Sequence, residues 1–181
     1  MKRRAGVLFG VAFLTAALVF IDRLVKNWAF VSLKGQSSIQ IIPGVFQLTY
    51  AQNIGAAFSI LENAKWFFIL TAVIIMTALA FFIGRIISHE DFSFTNREMT
   101  LVLILSCMII AGAMGNVIDR IKYGFVIDMF DFILIHFAIF NVADSYIVVA
   151  VIVLGLLLLF KKDFFEQMER MISRKKPAND E

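Results

Sequence analysis

Five aspartates, Asp22, Asp119, Asp128, Asp131 and Asp144, fall at the same end of four long apolar runs that otherwise carry almost no charge. Holding a carboxylate near a bilayer is costly, so one kept there marks a functional position by default. Five of them at one membrane face point to a reaction centre at that face.

The apolar runs set the class. With 60% hydrophobic residues and a mean hydropathy of +0.84, the chain exceeds the roughly 45–50% apolar content of soluble domains. Stretches of roughly 17–25 apolar residues read as membrane-spanning helices. The spans fall at about 6–28, 66–84, 99–117 and 141–160. Met1-Lys2-Arg3-Arg4 ahead of an apolar run also fits a secretory signal peptide. The length of the run, the Asp22-Arg23 pair after it and the lack of a small-residue cleavage site argue for a retained helix.

Orientation follows from the basic residues, which gather in cytoplasmic loops. Lys2, Arg3, Arg4, Arg85, Arg97 and the run from Lys161 to Lys176 share one side. Both termini are therefore expected in the cytoplasm and the aspartates at the outer face. The predicted architecture is mainly α: four transmembrane helices, a small extracytoplasmic β-platform at about 31–63, and a single membrane domain over 1–162. Residues 163–181 form a charged cytoplasmic tail, read as an interfacial helix with disorder after Pro177.

Within the platform, Ile39-Gln40-Ile41 and Val45 to Tyr50 read as short strands around a Pro43-Gly44 turn. Asn53 to Phe58, rich in small residues, suits a loop bordering a cleft, because small residues allow close backbone approach. The polar stretch Ser88 to Glu98 reads as a plain connector. The second outer segment, Lys122 to Phe140, is short and carries Asp128 and Asp131. An echo links Ile21-Asp22-Arg23-Leu24 with Ile118-Asp119-Arg120-Ile121, but it is too short to establish a duplication.

Two carboxylates brought close together cannot both ionise cheaply, so such a pair shares one proton. One then activates water as a base, and the other protonates a scissile carbonyl. Asp128, just beyond the third span, and Asp144, opening the fourth, should be neighbours. Asp131 is a rival for either role; it shares a face with Asp128 on a helix and opposes it on a strand. The single cysteine, Cys107, excludes an internal disulfide and a multi-cysteine metal site, and it reads as buried and inert. His136 reads as a surface or packing residue, and Trp28 and Trp66 as interfacial belt residues.

Five ordered blocks resemble the lipoprotein signal peptidases, the bacterial type II signal peptidases. They are Asp22-Arg23-Leu24-Val25-Lys26, Asn53 to Phe58, Gly115-Asn116-Val117-Ile118-Asp119-Arg120, Val126-Ile127-Asp128, and Phe140-Asn141-Val142-Ala143-Asp144-Ser145. The resemblance implies a membrane aspartyl endopeptidase in the bacterial cytoplasmic membrane, with its active site at the extracytoplasmic face. It would cleave prolipoproteins on the amino side of a diacylglyceryl-modified cysteine. It also implies a catalytic pair of Asp128 and Asp144, supported by Asp22, Lys26, Asn53, Gly55, Asn116, Arg120, Asn141 and Ala143. No metal or other cofactor is implied. The partners are prolipoproteins and membrane lipids, with no nucleic acid, and the chain is expected to be a monomer. Met129 stands where the family usually has phenylalanine, and the stretch between the last two blocks is short, which points to a local rearrangement of the outer loop.

The supporting residues also have plainer readings. Asp22 and Lys26, at i and i+4, can pair as an interfacial anchor. Arg120 can hold a substrate carbonyl or a lipid phosphate, or simply pair with Asp119. Asn141 can face the site or cap the fourth span. A proton-coupled transporter is the competing function, but transport places ionisable groups near the midplane or at both faces.

Overall fold

The computed structural model describes residues 2–55, 64–88 and 97–173. Ala56, Ala57 and Phe58 of the small-residue loop, the connector 89–96 and Pro177 lie outside the described residues. Four helices are long and apolar enough to cross a membrane: α1 (Lys2–Ser32), α2 (Lys65–Ser88), α3 (Arg97–Tyr123) and α4 (Val142–Phe160). A fifth, α5 (Lys162–Ser173), follows α4 directly. The protein is thus a multi-pass membrane protein built mainly of helix.

Helix α3 is the hub, with over half of its most apolar stretch buried, against about a tenth or less for the other three. Its C-terminal half explains why. Ala111, Gly112, Ala113 and Gly115 are all buried, and they let α4 approach to backbone contact. A Cβ on Gly112 would collide with the Ala143 carbonyl oxygen and lie 2.7 Å from the Ile147 side chain. The other helices turn large apolar side chains outward, among them Phe9, Phe13, Trp66, Val151 and Phe160. A hydrocarbon surround accepts such a surface, whereas water would not.

Both α1 and α3 continue beyond their apolar runs, so Asp22, Lys26, Asp119 and Arg120 all sit on helix. Gly124, at φ +86°, ends α3, its N–H bonding back to the Arg120 carbonyl at 3.1 Å. That left-handed residue turns the chain directly into a strand.

The platform is a three-stranded antiparallel sheet in the order β1 (Ile39–Ile42), β2 (Phe46–Asn53), β3 (Val126–Asp131). The Pro43-Gly44 turn is present: Gly44 has φ +73°, and the Val45 N–H reaches the Ile42 carbonyl at 3.0 Å. Proline at the second position and a positive-φ glycine at the third are what a type II turn requires. The third strand comes from the segment between α3 and α4, so the α1–α2 and α3–α4 segments build one sheet. Its register sets Ala51 opposite Asp128 and Asn53 opposite Val126. Beneath the sheet, Ile127 and Met129 pack with Ala29 of α1 and with Leu33, just past its end.

A second apolar cluster closes the opposite end of the bundle, where Phe164 of α5 joins Val7, Ile83, Ile86, Met99 and Val102. Lys161 and Glu98 pair beside it at 2.9 Å.

The close approach of α3 and α4 is testable by thermal unfolding in detergent. Gly112→Ala is expected to destabilise by about 1–3 kcal/mol through overpacking, despite the better helix propensity of alanine. Gly155→Ala, where a Cβ would meet open space, is expected to be neutral or slightly stabilising. Equal melting of the two variants would refute this packing.

Candidate active site

The C-terminal end of α3, the start of α4 and the strands β2 and β3 bring Asp128, Asp144 and three asparagines into one hydrogen-bonded group. Asp128 is 1% exposed, and each of its oxygens accepts one amide donor. Asn141 Nδ2 donates to Oδ1 at 2.6 Å, and Asn53 Nδ2 donates to Oδ2 at 2.9 Å. Asp144 is half-buried. It accepts Asn116 Nδ2 at 2.7 Å and the Asn141 backbone N–H at 3.1 Å.

Each amide is oriented by a partner of fixed polarity. Lys26 Nζ can only donate, and it donates to Asn116 Oδ1 at 2.9 Å. That forces the Asn116 NH₂ toward Asp144. Likewise the Gly55 N–H donates to Asn53 Oδ1 at 3.0 Å, which turns the Asn53 NH₂ toward Asp128. Asn141 Oδ1 accepts the Asp144 N–H at 3.0 Å, leaving its NH₂ for Asp128 and for Asn116 Oδ1 at 3.2 Å. Both readings of Asn141 therefore hold: it caps α4 in a reciprocal capping box, and it bonds directly to Asp128.

Burial pushes the Asp128 carboxyl up to about 7, and the nearby Asp144 charge adds to the rise. The amides of Asn141 and Asn53 and the Lys26 ammonium pull the other way without cancelling it. Asp128 is therefore poised to hold a proton near neutrality.

Asp131 is not part of this group. On β3 it points away from Asp128, as residues three apart on a strand must. It accepts Gln47 Nε2 at 2.7 Å and Thr49 Oγ1 at 3.3 Å, on the sheet. Arg120 departs from one sequence-based alternative, because Asp119 is held instead by Arg23 at 2.6 Å and by Lys26 at 3.1 Å. The Arg120 guanidinium lies over the Phe68 ring, 4.8 Å from its centroid, and donates to the Gly55 carbonyl at 2.9 Å. It thereby ties the start of the small-residue loop to α3. Asp22 and Lys26 pair at 3.2 Å, both fully buried, and Asp22 accepts the Ala143 N–H at 3.1 Å. Cys107 is buried, its thiol donating to the Val11 carbonyl at 3.8 Å, and the exposed His136 is the left-handed residue closing a 3₁₀ turn.

A cavity of about 530 Å³ opens beside this group. Asn53, Asn116, Arg120 and Asp144 form its polar end; Phe137, Phe140, Ile147, Val148 and Val149 form an apolar wall. Sequence reasoning did not single out this wall, although Phe140 and Ser145 belong to a quoted block. Phe140 is drawn to β3 by backbone pairing with Phe130, which returns the short connector to α4. Met129 is fully buried beneath the sheet.

Comparison with known proteins decides the family. Residues 14–160 match the signal peptidase (SPase) II family. The chain belongs to that family. A lipoprotein signal peptidase of Streptococcus thermophilus (strain CNRZ 1066) is 44% identical, over 81% of this chain and 90% of the relative. One from Streptococcus pyogenes serotype M5 is 37% identical, over 91% and 99%. The fold is also that of a bacterial membrane enzyme solved at 2.3 Å: TM-score 0.71, 29% identity, 95% of this chain and 94% of the other. As a member of the signal peptidase II family, the protein is a peptidase.

Asn141 allows cap and site to be separated. Serine is also a favoured cap but is too short to reach Asp128, so Asn141→Ser should melt within about 1 kcal/mol of wild type while losing peptidase activity. Asn141→Ala should lose the activity and about 0.5–2 kcal/mol of stability as well. Wild-type turnover by Asn141→Ser would remove the Asn141–Asp128 bond from the working site.

Proposed function

We propose that the protein removes signal peptides from prolipoproteins by aspartyl chemistry, with Asp128 and Asp144 as the catalytic pair. The observation that carries this reading is the coupling of the two carboxylates through Asn141 and Asn116 at the polar end of an apolar cavity. Two carboxylates in such a setting share one proton. Asp128, buried and raised to about 7, holds it. Asp144, facing the cavity, serves as base.

In the reaction Asp144 takes a proton from water as the oxygen attacks the scissile carbonyl. Asp128 gives its proton to the carbonyl oxygen, producing a neutral gem-diol. Collapse breaks the C–N bond; the proton on Asp144 passes to the leaving amine, and a hydroxyl proton returns to Asp128. The pair ends as it began. Arg120 and Asn53 border the cleft, and Arg120 is placed to hold substrate backbone carbonyls through donors its Gly55 and Asn116 contacts do not use.

The substrate is a prolipoprotein cut on the amino side of a cysteine carrying diacylglycerol. The apolar wall of Phe137, Phe140, Val148 and Val149 suits acyl chains and the apolar part of a signal peptide entering from the bilayer. In this reading the enzyme is a monomer in the bacterial cytoplasmic membrane, with both termini in the cytoplasm and the aspartyl pair outside.

Cleavage of a diacylglyceryl-modified prolipoprotein by purified protein, read by gel shift, tests the assignment. Asp128→Asn and Asp144→Asn should each lose about 10²–10⁴-fold in rate while remaining folded. Asp131→Asn should stay active. Near-normal turnover by either of the first two removes that residue from the pair.

The pH dependence follows from the raised Asp128 carboxyl. The acid must be protonated to work, so kcat should fall as pH rises through about 7. A rate held constant from pH 6 to 9 would show that no carboxylic acid donates in the rate-limiting step.

A further inference from the structure

Behind the aspartate pair lies a second charge cluster that the proposed chemistry does not use. Lys26 Nζ sits 3.2 Å from Asp22 Oδ2, 3.1 Å from Asp119 Oδ2 and 2.9 Å from Asn116 Oδ1. Arg23 bridges the same two carboxylates, reaching Asp119 at 2.6 Å and Asp22 at 3.4 Å. Asp22, Asp119 and Lys26 are essentially inaccessible, whereas the Arg23 side chain is 24% exposed.

The remaining contacts of the two carboxylates connect this cluster to the site. Asp119 Oδ2 accepts the backbone N–H of Ile127 at 3.2 Å, the residue before Asp128. Asp22 Oδ1 accepts the backbone N–H of Ala143 at 3.1 Å, the residue before Asp144. Each buried aspartate thus holds the peptide next to one member of the pair, and one ammonium joins both. The third donor of that ammonium fixes the amide of Asn116, which bonds Asp144.

We propose that Asp119 and Arg23 are positioning residues: with Asp22 and Lys26 they form a buried clamp that sets strand β3 against helix α4, and so sets the separation of Asp128 from Asp144. The proposal rests on the aspartyl reading above. Buried ion clusters contribute little net stability compared with apolar packing, and in some proteins they serve to fix geometry, the role proposed for this one. Gly115 keeps the arrangement open, since a Cβ there would lie 2.5 Å from Asp22 Oδ2. The repeated Asp-Arg of α1 and α3 gains a physical sense here: its two aspartates are the arms of the clamp.

The test uses the full chain in detergent with a diacylglyceryl-modified prolipoprotein, measuring kcat, KM and thermal unfolding. Asp128→Asn and Asp144→Asn serve as references; if either keeps wild-type turnover, the aspartyl reading fails independently of the clamp. Asp119→Asn keeps the shape and an acceptor for Ile127 but removes the charge. It should lower kcat by about 10²-fold, the scale of a misplacement near 1 Å, with KM unchanged. Arg23→Gln should lower kcat less, and Arg23→Lys should recover most of the loss. A folded Asp119→Asn with wild-type kcat, or a loss carried by KM alone, would overturn the clamp. Should Asp119→Asn fail to fold, the partly exposed Arg23 decides: equal kcat for wild type, Arg23→Gln and Arg23→Lys, or no recovery by lysine, would also overturn it.

Discussion

The side-chain amide of Asn141 is the junction on which the site depends. Its NH₂ reaches Asp128 and Asn116, its oxygen accepts the N–H of Asp144, and its own backbone N–H returns to the Asp144 carboxylate. Two carboxylates at such close quarters repel, and burial makes charge on either more costly. The fold meets that cost with neutral amides aimed by lysine and backbone donors of fixed polarity. The Lys26 ammonium pulls the Asp128 carboxyl down without cancelling the rise from burial, and it bonds into the group through Asn116.

That arrangement requires three elements to meet within hydrogen-bond distance, and the architecture follows from the requirement. Small residues on α3 admit α4 to backbone contact. Gly124 turns α3 into β3 within two residues, so Asp128 returns over the end of the helix that carries Asn116 and Arg120. The sheet supplies Asn53 from a segment far away in the chain and buries Ile127 and Met129 against α1. The lipid-facing helices have a looser task, and their outward phenylalanines and leucines need only be apolar.

Much of this was legible in the sequence. Run lengths located the four helices, and Pro43-Gly44 located the turn. Clustered aspartates marked the end of the bundle where the hydrogen-bonded carboxylates gather, and the ordered motif blocks pointed to the family. Strand β3 was not legible, because Val126 to Met129 is buried on both faces, so the alternation that betrays a half-solvated strand is missing. Arg120 was weighed as a partner for Asp119 because the two are neighbours in the chain. The observed partner, Arg23, lies 96 residues away, and only the packing of α1 on α3 joins them. The exclusion of Asp131 likewise depended on a strand that local pattern did not reveal.

The central claim is that one buried carboxylic acid, Asp128, keeps a proton near neutral pH beside a second carboxylate. Difference infrared spectroscopy of the protonated carboxyl band, recorded from pH 5 to 9 in wild type and in Asp128→Asn, tests it most directly. The account predicts a band in wild type that fades as pH rises through about 7 and is missing in Asp128→Asn. A wild-type spectrum without a protonated carboxyl at pH 6, or a band that persists unchanged in Asp128→Asn, would contradict it.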